Sequence, residues 1–199
     1  MSNQPPIEVP QGAIRLNTDS QKLEFYAQDR WYEMATDVPT LDGGARAVSQ
    51  ASTPSTNAID LVTISTAGNA TDFGDAATAA GGRHGASSRT RGLFAGGGTP
   101  TRLNSIEFIT FSSTGNGTNF GDLTVARSGG GQMGLSNQTR GIFAAGFLNT
   151  TQAMDKIEIA TLGDATDFGD SIGATYGNNQ GGQAGSTTRG LIAGGSSNS

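Results

Sequence analysis

The segment that decides the fold is Thr-Arg-Gly-Leu-Phe-Ala-Gly-Gly at residues 90–97. It returns as Thr-Arg-Gly-Ile-Phe-Ala-Ala-Gly at 139–146 and as Thr-Arg-Gly-Leu-Ile-Ala-Gly-Gly at 188–195, so that its arginine recurs every 49 residues. A period of about 50 residues is typical of proteins that repeat one small supersecondary unit. The sequence therefore predicts an array of similar units.

Two further segments recur with nearly the same period. Phe-Gly-Asp occurs at 73–75, 120–122 and 168–170. A run of β-branched and aromatic residues occurs at 59–64 and 106–111, and residues 157–162 are interpreted as its third copy. Three units of about 48 residues thus fill residues 57–199.

Each unit has the pattern of strands separated by turns. Clusters of Gly, Asn, Thr and Ser bound the apolar runs, which lack the 3.6-residue period of an amphipathic helix. In the run 106–111, Ile106 and Phe108 project from one face of the strand, whereas Ile109 and Phe111 project from the other. Because both faces are apolar, both must be covered, and we predict an all-β fold of stacked sheets.

Composition narrows the chemistry that is open to the chain. The 199 residues include no Cys and one His, and the net charge is −5. The chain therefore lacks the side chains of a thiolate or multi-histidine metal site and the basic charge that neutralises phosphates. We predict no catalytic residue, no cofactor, no metal site, no nucleic-acid partner and no membrane insertion. Asn69, Asp72 and Asp75 offer oxygen ligands of the kind that calcium binds, which is the alternative to Asx turns at the same residues. His84, which has no second histidine to act with, is predicted to lie in an exposed loop.

The order of features within a unit resembles a known motif. An apolar strand ending in Gly-Gly, a strand with an acidic residue near its start, a single aromatic residue and Ala-Arg-Ser-Gly at 126–129 follow one another. This order resembles the kelch motif of β-propellers. The repeats are also similar to glycine-rich repeats of tailed phages, notably of the phages that infect marine cyanobacteria. The resemblance implies kelch-like β-propeller units, with a trimeric β-prism or a solenoid as the alternative.

Residues 1–35 are predicted to form a separate β-hairpin module. Two alternating strands would pair across an Asn-Thr-Asp-Ser turn and share one apolar face. The residues predicted for that face are Ile14, Leu16, Leu23 and Phe25, with Trp31 capping it. The segment is similar to a small β-module of phage tail and fibre proteins, and this resemblance implies a role in attachment.

Residues 36–56 connect this module to the repeats. Pro39, Pro54 and many Ser, Thr and Ala residues are typical of a connection. The segment is interpreted as a linker or as a degenerate repeat, in which Gly43-Gly44 would be a decayed strand end.

Repeated arginines, acids and aromatic residues are the candidate structural positions. They are Arg91, Arg140 and Arg189; Asp75, Asp122 and Asp170; and Phe73, Phe120 and Phe168. The aromatic residues are predicted to be core residues. One hypothesis is that each arginine pairs with a Phe-Gly-Asp acid and ties neighbouring units together. The alternative is a cationic collar that binds acidic sugars bidentately.

These observations favour a non-enzymatic virion structural protein of a tailed bacteriophage, assembled in the host cytoplasm. Its partners would be other copies of itself and other virion proteins. The alternative is a lectin-like module that binds host surface glycans, for which Phe147 and Tyr176 are loop aromatics. A propeller needs at least four blades, so three repeats predict an oligomer. Two chains would supply six blades, and a cyclic arrangement of three chains is the alternative.

Overall fold

The computed structural model describes residues 8–19, 22–34, 46–50, 55–128, 134–144, 146, 152–172 and 181–194. The chain divides into two compact units, Met1–Thr40 and Leu41–Ser199. Every regular element in the described ranges is a β-strand, so the all-β fold class is confirmed. No helix among these residues is long and apolar enough to cross a membrane.

The first unit is a three-stranded antiparallel sheet in the order β1-β2-β3. Its strands are β1 (Ile14–Asn17), β2 (Lys22–Ala27) and β3 (Arg30–Glu33). Ile14 lies opposite Phe25 and Leu16 lies opposite Leu23, which confirms the predicted pairing. These four side chains form what we term the N-terminal apolar face. The prediction of a two-stranded hairpin is wrong, because β3 pairs with the other edge of β2.

The turn between β2 and β3 explains why the sequence gives little sign of the third strand. Gln28 and Asp29 both have positive φ, 49° and 57°. Such a two-residue turn matches the twist of hairpin strands, and Asn-Gly or Asp-Gly usually supplies it. The Gln28 N–H also donates a hydrogen bond to the Gln11 side chain at 3.0 Å, which supports this uncommon pair of turn residues.

Trp31 does not cap the N-terminal apolar face, contrary to the prediction. Tyr32 stands opposite Phe25, with ring centroids 5.5 Å apart, so alternation along β3 places Trp31 on the other face. There the Trp31 ring packs beside Tyr26, and the guanidinium of Arg15 lies 4.1 Å from the centre of the Trp31 ring. The N-terminal apolar face remains largely exposed.

Glu24 joins β1 to β2 on the face that carries Trp31. Its carboxylate accepts hydrogen bonds from Asn17 Nδ2 at 2.9 Å and from Arg15 Nε at 2.7 Å. The hydrogen bond from Asn17, followed by that from Arg15, holds the pKa of Glu24 below its ordinary value. Protonation of Glu24 therefore weakens the contact between two strands.

The described residues of the second unit form four small antiparallel repeat sheets and one inserted ribbon. The first sheet consists of β4 (Arg46–Gln50), β5 (Ala58–Thr63) and β6 (Thr71–Asp75). The second sheet consists of β7 (His84–Ser87), β8 (Arg91–Ala95), β11 (Ser105–Thr110) and β12 (Thr118–Asp122). The inserted ribbon, β9 (Gly98–Thr99) and β10 (Thr101–Arg102), lies between β8 and β11 in the sequence. The third sheet consists of β13 (Gly134–Ser136), β14 (Arg140–Ala144), β15 (Ala153–Glu158) and β16 (Thr166–Asp170). The fourth consists of β17 (Gly181–Gly185) and β18 (Gly190–Gly194).

Each complete repeat sheet is a four-stranded meander, as the second and third sheets show. The strand that begins with the repeated arginine is the second of the four. β4 occupies this position in the first sheet, since Arg46 pairs with Thr63 as Arg91 pairs with Thr110. Within the predicted segment 36–56, the described strand β4 therefore has the place of a degenerate repeat strand.

The third copy of the β-branched run begins three residues earlier than predicted. Gly92 of the second sheet pairs with Ile109. The equivalent Gly141 of the third sheet pairs with Ile157, so Ile157 corresponds to Ile109. The Ile-Glu pair at the start of 157–162 favours the wrong alignment. The constant distance of 14 residues from the start of the run to the Phe of Phe-Gly-Asp gives the right one.

The repeat sheets pack face to face. One face of β11 contributes Ile106 and Phe108 to a core that is shared with the third sheet. Its other face contributes Ile109, with the adjoining Phe111, to a core that is shared with the first sheet. The prediction that this strand is covered on both sides is confirmed. A smaller core joins the third and fourth sheets.

The first strands of the sheets, β7, β13 and β17, lie next to one another. A Cβ on Gly134 of β13 would lie 1.9 Å from the carbonyl oxygen of Gly85 of β7, so two backbones meet where only glycine fits. In the described part of the chain the sheets do not close into a barrel or a propeller.

The aromatic residues of Phe-Gly-Asp differ in burial. Phe73 and Phe120 are core residues, each 3% exposed, as predicted. Phe168 is 48% exposed, so the prediction is wrong for this residue. Phe120 packs in one core with Ile157 and Ile159 of the next sheet, whereas no equivalent strand covers Phe168 among the described residues.

Replacement of Phe120 with Ala should destabilise the second unit by about 3 to 5 kcal/mol, because it leaves a cavity between two sheets. Phe168→Ala removes the same side chain from an exposed position and should change the free energy of unfolding by less than about 1 kcal/mol. Urea denaturation followed by circular dichroism measures both. Equal effects of the two substitutions would contradict the assigned burial.

Acid should weaken the first unit. Because the folded-state pKa of Glu24 is lowered, its contacts stabilise the sheet fully above its ordinary pKa of 4.5 and are lost as the pH falls through the lowered value. The fluorescence of Trp31, the only tryptophan, should therefore report weaker folding across that acid range. Glu24→Gln should remove this pH dependence, with Glu33→Gln as the control for loss of an exposed carboxylate. A Glu24→Gln variant with an unchanged acid profile would contradict the assignment.

Candidate functional site

The Phe-Gly-Asp segments are the places where one repeat sheet binds the next. Between the first and second sheets, Gly115 N–H donates to the Phe73 carbonyl at 2.8 Å. Gly117 N–H donates to the Asp75 carbonyl at 2.7 Å. The side-chain oxygen of Asn116 accepts a hydrogen bond from Asp75 N–H at 3.0 Å. We term this set of three hydrogen bonds the inter-sheet clamp.

The inter-sheet clamp recurs between the second and third sheets. Gly163 N–H donates to the Phe120 carbonyl at 2.9 Å, and Ala165 N–H donates to the Asp122 carbonyl at 2.8 Å. The side-chain oxygen of Asp164 accepts from Asp122 N–H at 3.0 Å. The Phe-Gly-Asp acids thus join sheets through their backbone atoms.

The glycine of each clamped Phe-Gly-Asp segment is required by the close approach of the turn. A Cβ on Gly121 would lie 2.2 Å from the Gly163 carbonyl oxygen. A Cβ on Gly74 would lie 2.5 Å from the Gly115 carbonyl oxygen. Both distances are far below van der Waals contact, so a larger residue would push the clamp apart.

The repeated arginines reach backbone carbonyls of the next sheet. Arg91 Nη1 donates to the Ile159 carbonyl at 2.8 Å, and its guanidinium lies 4.8 Å from the centre of the Phe108 ring. Arg46 Nη1 donates to the Phe111 carbonyl at 2.6 Å in the same way. The hypothesis that arginines tie units together through the Phe-Gly-Asp acids is therefore wrong for Arg91, because the next sheet brings a backbone carbonyl within hydrogen-bond distance of its guanidinium.

The other two predicted arginines have different surroundings. Arg140 forms an ion pair with Glu158 of its own sheet at 3.1 Å, and both side chains are about half exposed. Arg189 is exposed and directly precedes β18. Both arginines line a groove of about 280 Å³ between the third and fourth sheets. The structure brings these two together but leaves Arg91 apart, so the predicted collar of three arginines does not form.

Two buried ion pairs between sheets are absent from the sequence-based predictions. Arg127 Nη2 lies 2.6 Å from Asp155 Oδ2, and Arg83 Nη2 lies 2.9 Å from Glu107 Oε1. Each arginine follows the fourth strand of one sheet, and each acid lies in the third strand of the next. The signal for them is an acid that recurs 13 residues before the Phe of Phe-Gly-Asp, as Asp60, Glu107 and Asp155.

Further hydrogen bonds support the pair of Arg127 and Asp155, which joins the second sheet to the third. Asp155 accepts from the Thr124 backbone N–H at 3.2 Å and from the Thr124 hydroxyl. Arg127 Nη1 donates to the carbonyls of Phe143 at 3.2 Å and Ala153 at 2.9 Å. Burial lowers the pKa of Arg127, and the charge of Asp155 opposes this shift. A pair held in this way fixes the register between sheets, since removal of one partner would leave a buried charge.

His84 lies buried in β7, so the prediction of an exposed loop is wrong. β7 is one of the first strands, along which the repeat sheets approach one another, and this position removes the side chain from solvent. Within the described ranges, no group of three or more His, Asp or Glu side chains is arranged to hold a metal ion. Gly43-Gly44, Phe147 and Tyr176 lie outside the described residues.

A second groove, of about 440 Å³, lies between the first and second sheets. It is lined by β4, β7 and β8, together with Ile64, Phe111 and two residues of β13. No first strand accompanies β4 among the described residues, so the groove lies where the other sheets have that strand.

No protein-family model matches this chain, and no curated protein is significantly similar to it. The fold and its contacts define an all-β repeat protein of small antiparallel sheets. Recurring backbone and side-chain groups join the first sheet to the second and the second to the third.

Replacement of Asp155 with Asn should destabilise the second unit by about 3 to 5 kcal/mol, because Arg127 would remain buried without its counter-charge. Glu158→Gln breaks an exposed pair in the same strand and should cost less than about 1 kcal/mol. Urea denaturation of both variants checks the difference. An Asp155→Asn variant as stable as Glu158→Gln would show that the buried pair contributes nothing to the fold.

Proposed function

We propose that this protein is a non-enzymatic structural component of a tailed-phage virion, a tail, fibre or head-surface protein that serves assembly or decoration of the particle. The observation that carries the proposal is the inter-sheet clamp, which recurs with the period of the sequence. Between the first three sheets, the repeated Phe-Gly-Asp segments are engaged in joining one sheet to the next. The likeness of the repeats to glycine-rich repeats of tailed phages supports the class of particle.

A kelch-like β-propeller is the arrangement that we propose for the repeats. Four-stranded meanders that pack face to face, with their first strands side by side, have the features of blades around an axis. The contact between Gly134 and Gly85 fits the crowding that is expected near such an axis.

The first unit would attach the repeats to another virion protein. Its N-terminal apolar face exposes Ile14, Leu16 and Leu23. Contiguous exposed apolar side chains with polar residues around them are typical of interaction sites. The charged pair of Arg15 and Glu24 lies on the opposite face, so the two faces differ in chemistry.

Antibodies raised against residues 46–194 should label purified particles of a phage that encodes this chain. Immunogold electron microscopy should show labels at one structural location, and mass spectrometry should detect a fixed number of copies per particle. Pre-immune serum and an antibody against a non-structural phage protein are the controls. Recovery of the chain from infected cells but not from gradient-purified particles would overturn the proposal.

A lectin-like receptor-binding role is the second candidate, favoured by the groove between the third and fourth sheets. Arg140 and Arg189 line it together with Asn137, Ser186 and the exposed ring of Phe168. The guanidinium of an arginine binds a carboxylate bidentately, so an acidic sugar is the ligand of matching chemistry. Binding of acidic glycans on an array, lost in Arg140→Ala and Arg189→Ala, would favour this role. Absence of binding by the wild-type chain would favour the purely structural one.

A further inference from the structure

The second unit exposes, on its first and third sheets, groups whose equivalents elsewhere in the unit are engaged between sheets. On the first sheet, Val62 and Ile64 are 39% and 71% exposed, whereas their equivalents Ile109 and Phe111 are 2% and 8% exposed. The turn that contains Gly68 is also exposed, and within the described residues the Gly68 N–H makes no backbone hydrogen bond to another sheet, whereas the equivalent Gly115 and Gly163 N–H groups each do. We term this surface the entry face.

The third sheet exposes the complementary groups. Phe168 has no strand over it in the described part of the chain, and the neighbourhood of Gly169 is empty where Gly121 meets a clamping turn. Arg140 bonds within its own sheet, whereas Arg46 and Arg91 reach the next sheet. We term Arg140 and the segment Phe168–Asp170 the exit face.

We infer that the exit face of one copy binds the entry face of a second copy through a third inter-sheet clamp. Phe168 would pack on Val62 and Ile64 of the second copy, as Phe120 packs on Ile157 and Ile159. The inference rests on the propeller arrangement that is proposed above. The occupant is a second copy because the chain already makes this contact twice between its own sheets.

Each polar part of the clamp has its counterpart on the opposite face. Gly68 N–H would donate to the Phe168 carbonyl, as Gly115 and Gly163 donate to their partners. Asn69 would accept from Asp170 N–H, as Asn116 accepts from Asp75 N–H. In addition, Arg140 would donate to the Ile64 carbonyl, the equivalent of the carbonyls that Arg46 and Arg91 reach.

Only one strand can pair with that edge of β5 of the second copy, and both β18 of the first copy and β4 of the second copy have the position in the repeat that pairs there. We assign this place to β18, so assembly would break the pairing of β4 with β5 and the hydrogen bond from Arg46 to the Phe111 carbonyl. Ile192 of β18 packs against the third sheet, whereas the equivalent residue of β4 is the polar Ser49. Gln50 of β4 also stands where β8 has the buried Ala95, and the Gln50 side-chain oxygen is buried without a hydrogen-bond partner.

This exchange fixes the number of copies. In its described residues each chain contributes two complete sheets, together with β17–β18 of one shared sheet and β5–β6 of another, and these amount to three sheets. Propellers have typically four to eight blades, so two chains close a ring of six, whereas one or three chains do not. The inferred assembly is therefore a two-fold dimer with two identical interfaces.

Engineered cysteines test the clamp directly, since the chain has none of its own. The double variant Asn69→Cys, Asp170→Cys places the thiols on the inferred interface, and oxidation at micromolar concentration should give a covalent dimer on a non-reducing gel. The variant Asn116→Cys, Asp75→Cys forms the same pair within one chain and calibrates the geometry of the disulfide. In the variant Asn69→Cys, Asp122→Cys, the second position is already clamped by Asp164, so this variant should stay monomeric.

A second measurement does not depend on disulfide geometry. Sedimentation of the wild-type chain at micromolar concentration should give the mass of two chains, and Ile64→Asp, on an exposed residue, should halve it without unfolding the chain. Oxidation of the internal pair but not of the interface pair, or a monomeric wild-type chain, would overturn the inference. A dimer that is absent from virions would leave this inference standing and overturn only the proposed function.

Discussion

A strand that is apolar on both faces must be covered on both sides, and the rest of the second unit follows from this constraint. β11 contributes to one core with the sheet before it and to another with the sheet after it. Burial of apolar surface is the main force that holds such sheets together. The first and third sheets also leave side chains uncovered, as the exposed Ile64 and Phe168 show.

Apolar burial is not directional, so it does not by itself fix how one sheet sits on the next. The inter-sheet clamps supply this direction through backbone hydrogen bonds that run from a turn to a Phe-Gly-Asp strand. The ion pairs of Arg127 with Asp155 and of Arg83 with Glu107 add a second, buried constraint. Together these contacts explain why Gly, Asn or Asp, and acidic residues recur at fixed places in the unit.

Much of the local architecture was determined by the sequence alone, because the periodicity of a strand is a local property. The 49-residue period, the strands themselves and the two apolar faces of β11 follow from the order of residue types. The opposition of Ile14 to Phe25 follows from alternation around a short turn. The buried acid was also readable, through its constant distance from Phe-Gly-Asp, once the third copy was aligned at Met154 instead of Ile157.

Only the tertiary structure decided what covers each face. The register of β3 places Trp31 away from the apolar face, and the convergence of first strands buries His84. Arg91 reaches a carbonyl because the next sheet brings one within hydrogen-bond distance. Phe120 and Phe168 stand in nearly identical sequences, yet one is buried and the other exposed. A repeated sequence specifies the same strand each time, whereas burial depends on whether a neighbouring sheet lies against it.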